Sequence, residues 1–250
     1  MTNHERPKTI AALGSSFAAG PTIEPVEDAD AMRSARNYPH LLAQLLGATL
    51  VDLTVSGATT ANILSTPQLT MTGREFAPQI NGLPADADLV TITAGGNDLQ
   101  FIGSMLFAAW SKHEPGGQMA QLLGQGFTGG IPAVTDDDID STAQGLTAIV
   151  SAVQKQAHQA RVVLVDYLTV VTEQTAAGDS EVFTDEDLRI FLRTQGALAH
   201  AYRIAADRSG AGLLTASTIS TDHGIGSNDP WVFGFQPVIT PGRQAEEPHG

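Results

Sequence analysis

Three short stretches hold residues whose types and spacing suit chemistry: Gly14-Ser15-Ser16-Phe17-Ala18-Ala19-Gly20, Ser56-Gly57-Ala58-Thr59-Thr60 and Gly95-Gly96-Asn97-Asp98. A serine hydroxyl such as that of Ser16 is a weak nucleophile alone and needs a base, most readily a histidine. Acyl transfer through serine also needs donors for the oxyanion, typically backbone N–H groups together with an amide side chain. Gly57 has no Cβ, so a backbone N–H can approach a reacting carbonyl there. Asn97 can extend a side-chain N–H toward the same point. Gly, Ser, Asn and Asp also dominate ordinary turns, so the bland reading of each stretch alone is a plain turn. What gives the three weight is the segment that precedes each of them.

Each stretch follows an expected strand. Ile10 to Leu13 is a short apolar run that stops at Gly14, and Ala48 to Val55 is rich in β-formers. Ala87 to Ala94 is nearly all apolar or β-branched, as suits a strand covered on both faces. Arg161 to Val165 and the short Leu213 to Ala216 supply a fourth and a fifth strand. Between them, helical spacing runs over Ala35 to Leu46 and Leu99 to Trp110, and from about Ser141 to His158 behind the acidic run Asp136 to Asp140. Ala61 to Leu64 could begin a short helix, and Thr184 with Asp187 resembles a capping box for a helix over Asp185 to Ala206. Pro21 to Asp30 reads as an acidic loop, and Gly116 to Gly130 as a long loop or broken helix of the kind that forms lids or substrate walls. From Ser217 the chain is irregular. This alternation predicts one domain over residues 1–250, a three-layer α/β/α sandwich around a five-stranded parallel sheet. The three polar turns then share the carboxyl edge of that sheet, where open α/β sheets place their crevice.

A chain of 250 residues can bury a sizeable core without staples. The absence of cysteine excludes disulfides, thiolate metal sites and cysteine nucleophiles. A formal charge of −14, with no Lys/Arg cluster to offset it, repels nucleic acid and anionic membrane surfaces and favours neutral or apolar substrates. No stretch approaches the roughly 20 apolar residues needed to span a bilayer. The polar start MTNHERPKT lacks a signal peptide's apolar core. The expected location is therefore the cytoplasm, or outside the cell if a leader was removed.

At these residues the chain resembles the GDSL, or SGNH, hydrolases. Gly14 to Gly20 looks like their first block, Ser56-Gly57-Ala58 like their second, and Gly95-Gly96-Asn97-Asp98 matches their third. The resemblance covers most of the chain, including the late segment DHGIGSNDPWVFG. It implies a flavodoxin-like sandwich and esterase, lipase or acylhydrolase chemistry on a small-molecule ester, with no metal and no cofactor. Carried over by position, Ser16 is the nucleophile, and the Ser16 and Gly57 amides with the Asn97 side chain form the oxyanion hole. Removal of acetyl groups from carbohydrates, thioester hydrolysis and a non-catalytic binding domain without a base are the alternatives on the same fold.

Two positions depart from the family pattern. The family's usual Asp before the nucleophile is Ser15 here, where a short hydroxyl should retune the turn without abolishing activity. The fourth block, normally Asp-x-x-His-Pro followed by a closing helix, has its counterpart in Glu246-Glu247-Pro248-His249-Gly250. That segment keeps an acid three residues before a histidine but lacks the following proline. Three placements of the base stay open: His249 with Glu246, a block beyond residue 250, and His223 beside Asp222. Adjacent side chains in an extended segment point apart, so Asp222 is poorly placed to orient His223. His249 is the expected base, with Glu246 or a backbone carbonyl holding its ring. His40 and His200 are expected to be packing or solvated residues.

Overall fold

The computed structural model describes residues 6–173, 175 and 182–237. In chain order these form β1 (Thr9–Gly14), α1 (Ser16–Ala19), β2 (Val26–Asp28), β3 (Arg33–Ser34), α2 (Tyr38–Leu46), β4 (Thr49–Asp52) and α3 (Thr60–Leu64). There follow β5 (Gln68–Leu69), β6 (Glu75–Phe76), β7 (Leu89–Thr93), α4 (Phe101–His113), α5 (Gln118–Gly124) and α6 (Asp136–Gln156). The last are β8 (Arg161–Val165), α7 (Asp185–Ser209), β9 (Gly212–Leu214) and α8 (Ala216–Ile219).

β1 is buried from Ile10 to Gly14 because it runs through the interior of a five-stranded sheet ordered β4-β1-β7-β8-β9. All four neighbouring pairs are parallel, with Ala11 opposite both Val51 and Val90. All five expected strands are found. Renumbered among themselves, they run 2-1-3-4-5, so the chain reverses direction across the sheet between β1 and β7, which opens a crevice at their carboxyl ends. Right-handed crossovers then put α2 on one face and α6 with α7 on the other.

The apolar stripes explain why the helices dock. α6 buries Leu146, Ile149, Val150 and Val153, and α7 buries Phe191, Leu198, Ala201, Tyr202 and Ala205, both at helical spacing. Each large side chain so buried contributes about 1.5–3 kcal/mol relative to exposure. Thr135 and Thr184 both close capping boxes, with Asp138 and Asp187 as their partners. The acidic run expected ahead of α6 is thus its first turn, where carboxylates complement the helix dipole.

Two small antiparallel ribbons, β2 with β3 and β5 with β6, are additions to the expected fold. Their strands of two or three residues are too short for alternation to register in sequence. Ion pairs help to hold them, Arg33 with Glu27 at 2.8 Å and Arg74 with Asp30 at 3.2 Å. The stretch Gly116 to Gly130 is a broken helix containing α5. No helix among the described residues is long and apolar enough to cross a membrane.

Candidate active site

Gly14 ends β1 where no other residue fits, because a Cβ there would fall on the Thr93 carbonyl oxygen. The Gln79 side chain clamps this strand end, accepting from Gly14 N–H at 2.8 Å and donating to its carbonyl at 2.9 Å. The same carbonyl accepts from Val55 N–H at 3.1 Å, and Ser15 N–H donates to Thr93 O at 2.9 Å. Ser15 is extended and caps α1, its carbonyl accepting from Ala18 and Ala19. Gly20, at φ +71°, closes this one-turn helix by donating to Ser16 O. Ser16 therefore opens α1, half-buried, with neither its Oγ nor its N–H hydrogen-bonded among the described residues.

The second turn leaves β4 and bends at Gly57, whose φ of +84° belongs to the left-handed region that favours glycine. It is pinned on both sides: Ser56 N–H donates to Ala31 O at 2.9 Å, and Gln68 Nε2 donates to Ser56 O at 2.8 Å. Among the described residues the Gly57 N–H has no acceptor. The third turn follows β7, and its Asn97 Nδ2 donates to Ala58 O at 2.8 Å. That bond fixes which way the amide faces and leaves Nδ2 a second hydrogen. Asp98 accepts from Thr60 N–H at 3.1 Å and from Thr60 Oγ1 at 2.5 Å, at the start of α3. Direct hydrogen bonds thus join the first turn to both neighbours and the second to the third, which gathers Ser16, Gly57 and Asn97 at the carboxyl ends of three adjacent strands.

Behind these turns lies a buried layer of tyrosines. Tyr167 sits 4.5 Å ring to ring from Phe17, and its hydroxyl is 2.9 Å from Ser15 Oγ and 3.1 Å from Gly96 N. Burial pushes the Tyr167 phenol up to about 12, against opposing hydrogen bonds from Ser15 and Gly96. Burial raises Tyr38 and Tyr202 as well, Tyr202 well above the ordinary tyrosine value. The turns are therefore backed by neutral hydroxyls at neutral pH. Desolvation also raises the Asp166 carboxyl, against hydrogen bonds from the Ser217 hydroxyl and N–H.

Of the candidate bases, His249 and its partner Glu246 lie outside the described residues. His223 lies in the loop after α8. Its ring stacks on Trp231 at 4.0 Å, and its Nδ1 lies 2.7 Å from the Asp229 carbonyl and 3.3 Å from that residue's carboxylate. Asp222 takes no part in holding it. His40 is half-buried between carboxylates, Nε2 3.4 Å from Glu27 and Nδ1 3.6 Å from Asp52, with Nδ1 also 2.7 Å from Asn37 Oδ1. The donor atoms of this trio lie within 4.8 Å of one another. They are already engaged by Arg33, Thr54 and Asn37, so the trio reads as an ion-pair network. A cleft of about 440 Å³ between α4 and the start of α7 is lined by Phe107, Ile131, Val182 and Ile190, and by none of Ser16, Gly57 and Asn97.

Residues 12–238 match the model of the GDSL-like lipase/acylhydrolase family. The chain belongs to that family. Lipase 2 of Streptomyces coelicolor is 31% identical over 239 residues, covering 91% of this chain and 78% of the relative. In three dimensions, phospholipase A1 from Streptomyces albidoflavus NA297 superposes with a TM-score of 0.70 at 19% identity, over 94% of this chain and 90% of that one. The extracellular lipase of Streptomyces rimosus gives 0.65 at 19%, over 90% and 87%. These two share the fold. As a GDSL-like acylhydrolase, the chain is a carboxylic ester hydrolase.

Tyr167 and the Thr60–Asp98 contact escaped the sequence reading. Asp98 at least stood in the Gly-Gly-Asn-Asp turn. Tyr167 follows β8, 71 residues after the glycine it touches, and no local pattern marks it.

Proposed function

We propose that Ser16 is the nucleophile of this hydrolase and that its N–H, the Gly57 N–H and the second Asn97 Nδ2–H receive the oxyanion. The observation that carries this reading is a Ser16 hydroxyl and two backbone N–H groups without partners among the described residues, together with an oriented amide, on three adjacent strand ends. In the reaction, the base takes the Oγ proton as Oγ bonds to the ester carbonyl carbon, and negative charge develops on the carbonyl oxygen. Donors held in place before the reaction need no reorganisation. Collapse expels the alcohol, which takes the proton back from the base, and leaves the acyl group on Ser16. Water, deprotonated by the same base, then releases the acid. His249 is the base in this reading, with Glu246 holding its ring.

The net charge of −14 supports a neutral or apolar ester as substrate. Residues 1–250 are read as one domain, and the extracellular location of the S. rimosus enzyme supports secretion over the cytoplasm. Fluorophosphonate labelling followed by peptide mapping tests the site, together with hydrolysis of p-nitrophenyl esters of increasing chain length. The label is expected on Ser16. A label on Ser15, or active ester hydrolysis with neither serine labelled, overturns the assignment.

A further inference from the structure

We infer that Tyr167 is a positioning residue for the proposed catalytic pair, fixing the nucleophile turn against the oxyanion turn through Ser15 and Gly96. The inference rests on Ser16 and Asn97 being the nucleophile and an oxyanion donor. The β1–β7 ladder ends at Gly14 opposite Thr93, short of both Ser16 and Asn97. Beyond it, Ser15 N–H to Thr93 O is the direct backbone tie between the two turns. Tyr167 supplies the remaining link from behind. Its hydroxyl, 4% exposed with the rest of the residue, meets the Oγ of wholly buried Ser15 and accepts from Gly96 N–H. Its ring meets Phe17 at 4.5 Å and leaves no room for a side chain at Gly96, where a Cβ would lie 2.7 Å from Cε1. It therefore touches the residues on both sides of Ser16 and the residue immediately before Asn97.

The chemistry of the link suits this role. A neutral phenol can accept from Gly96 N–H while sharing a hydrogen bond with Ser15, and burial keeps it neutral. Ser15 stands where the family carries Asp, so the link in this chain joins two neutral hydroxyls. Without the hydroxyl, Gly96 and Ser15 would each lose a partner in a site too buried for water to reach freely.

The test compares Tyr167→Phe, Ser15→Ala and the double variant with wild type in steady-state ester hydrolysis, with thermal melts in parallel. Tyr167→Phe keeps the ring packing and removes only the hydroxyl. Its kcat is expected to fall roughly 10- to 10²-fold, the scale of a small misplacement of reacting groups, with KM within about twofold. Ser15→Ala should lower kcat in wild type but add little to Tyr167→Phe, because both remove one link. Unchanged kcat in folded Tyr167→Phe, or losses that multiply in the double variant, would overturn the inference. Should Tyr167→Phe fail to fold, Ser15→Ala removes the same link from the other end, and its full kcat would overturn it equally. Ser16→Ala separates the two readings: persistent hydrolysis there defeats the nucleophile assignment, whereas a dead Ser16→Ala beside a fully active Tyr167→Phe defeats only the role of Tyr167.

Discussion

The carboxyl edge of the sheet has two unlike regions. Around β4, β1 and β7, every group proposed for chemistry lies within a few residues of a strand end, and hydrogen bonds to backbone carbonyls fix it: Val55 N–H to Gly14, Ser15 N–H to Thr93, Asn97 Nδ2 to Ala58. Around β8 and β9 the chain instead holds itself together across long loops. Gln195 Oε1 accepts from Val170 N–H at 2.7 Å, Thr169 N–H donates to Ser220 Oγ at 2.8 Å, and Ile225 N–H donates to Val170 O at 2.9 Å. The first region is built mainly from strand ends and the short turns that follow them. The second depends on tertiary packing, and the segment that carries the proposed base follows it. A nucleophile and its oxyanion donors need only sit at adjacent strand ends, whereas the proposed base, His249, is far from all three in sequence.

The largest effect expected is at the centre of the first region. Ser16→Ala should lower kcat by about 10⁴–10⁶ and abolish fluorophosphonate labelling, as loss of a serine nucleophile does. Thermal melts should be unchanged, since Ser16 Oγ has no partner to lose among the described residues. Measurable labelling of the variant would move the nucleophile elsewhere.

The base panel tests the second region. His249→Ala is expected to match Ser16→Ala in kcat, because nucleophile and base act as one unit. His223→Ala should retain substantial activity, since its Nδ1 faces the Asp229 carbonyl and its ring stacks on Trp231 within one loop. Glu246→Gln should fall between them, a backbone carbonyl being able to hold the ring. Full activity in a chain lacking residues 245–250 would remove His249 and transfer the role to His223. An inactive chain rescued by residues beyond 250 would place the base in that extension.

Legibility in sequence follows the same division. Ile10 to Leu13 and Ala87 to Ala94 announced their strands because parallel strands covered on both faces are continuously apolar. The Thr184–Asp187 capping box was readable because its two partners stand only three positions apart. The turns that hold Ser16, Gly57 and Asn97 were readable because each is a small-residue turn directly after such a strand. The β2–β3 and β5–β6 ribbons were not, being too short to show a period and held by ion pairs between separate segments. Tyr167 was hidden for a related reason: it reaches Ser15 across 152 residues, and a lone Tyr after a strand carries no local signal of a distant partner.

A smaller loss than for Ser16 is expected at Asn97, whose proposed role is to bind developing charge and not to form a covalent bond. Asn97→Ala should lower kcat by roughly 10²–10³ with KM little changed, as removal of one oxyanion donor does. Assays with a matched series of esters check the split. A loss confined to KM would make Asn97 a substrate-binding residue, and an unchanged kcat would remove it from the site.

The smallest catalytic effect, and the sharpest contrast with Tyr167, is expected at Tyr202. Its hydroxyl both accepts from Ala94 N–H and donates to Ala94 O, each at 2.8 Å, one residue beyond the end of β7. Both residues are wholly buried, so Tyr202→Phe leaves a donor and an acceptor unpaired at a cost of about 1–3 kcal/mol. For a chain of this size each kcal/mol lowers Tm by roughly 2–4 °C. The turn beyond Ala94 keeps its own supports, Leu99 N–H on Gly95 O, Tyr167 on Gly96 and Asn97 on Ala58, so kcat should stay within about threefold. The pH dependence carries a sign of its own. Burial raises the folded-state pKa of Tyr202 well above its ordinary value, so the folded protein holds that proton more tightly than the unfolded chain. The stability it provides is fully present below about pH 10 and is lost as pH rises toward the raised value. The gap in Tm between wild type and Tyr202→Phe should therefore be constant near neutrality and narrow above about pH 10. A kcat loss approaching that of Tyr167→Phe, without a drop in Tm, would erase the distinction between a phenol that holds the sheet end and one that aligns the catalytic turns.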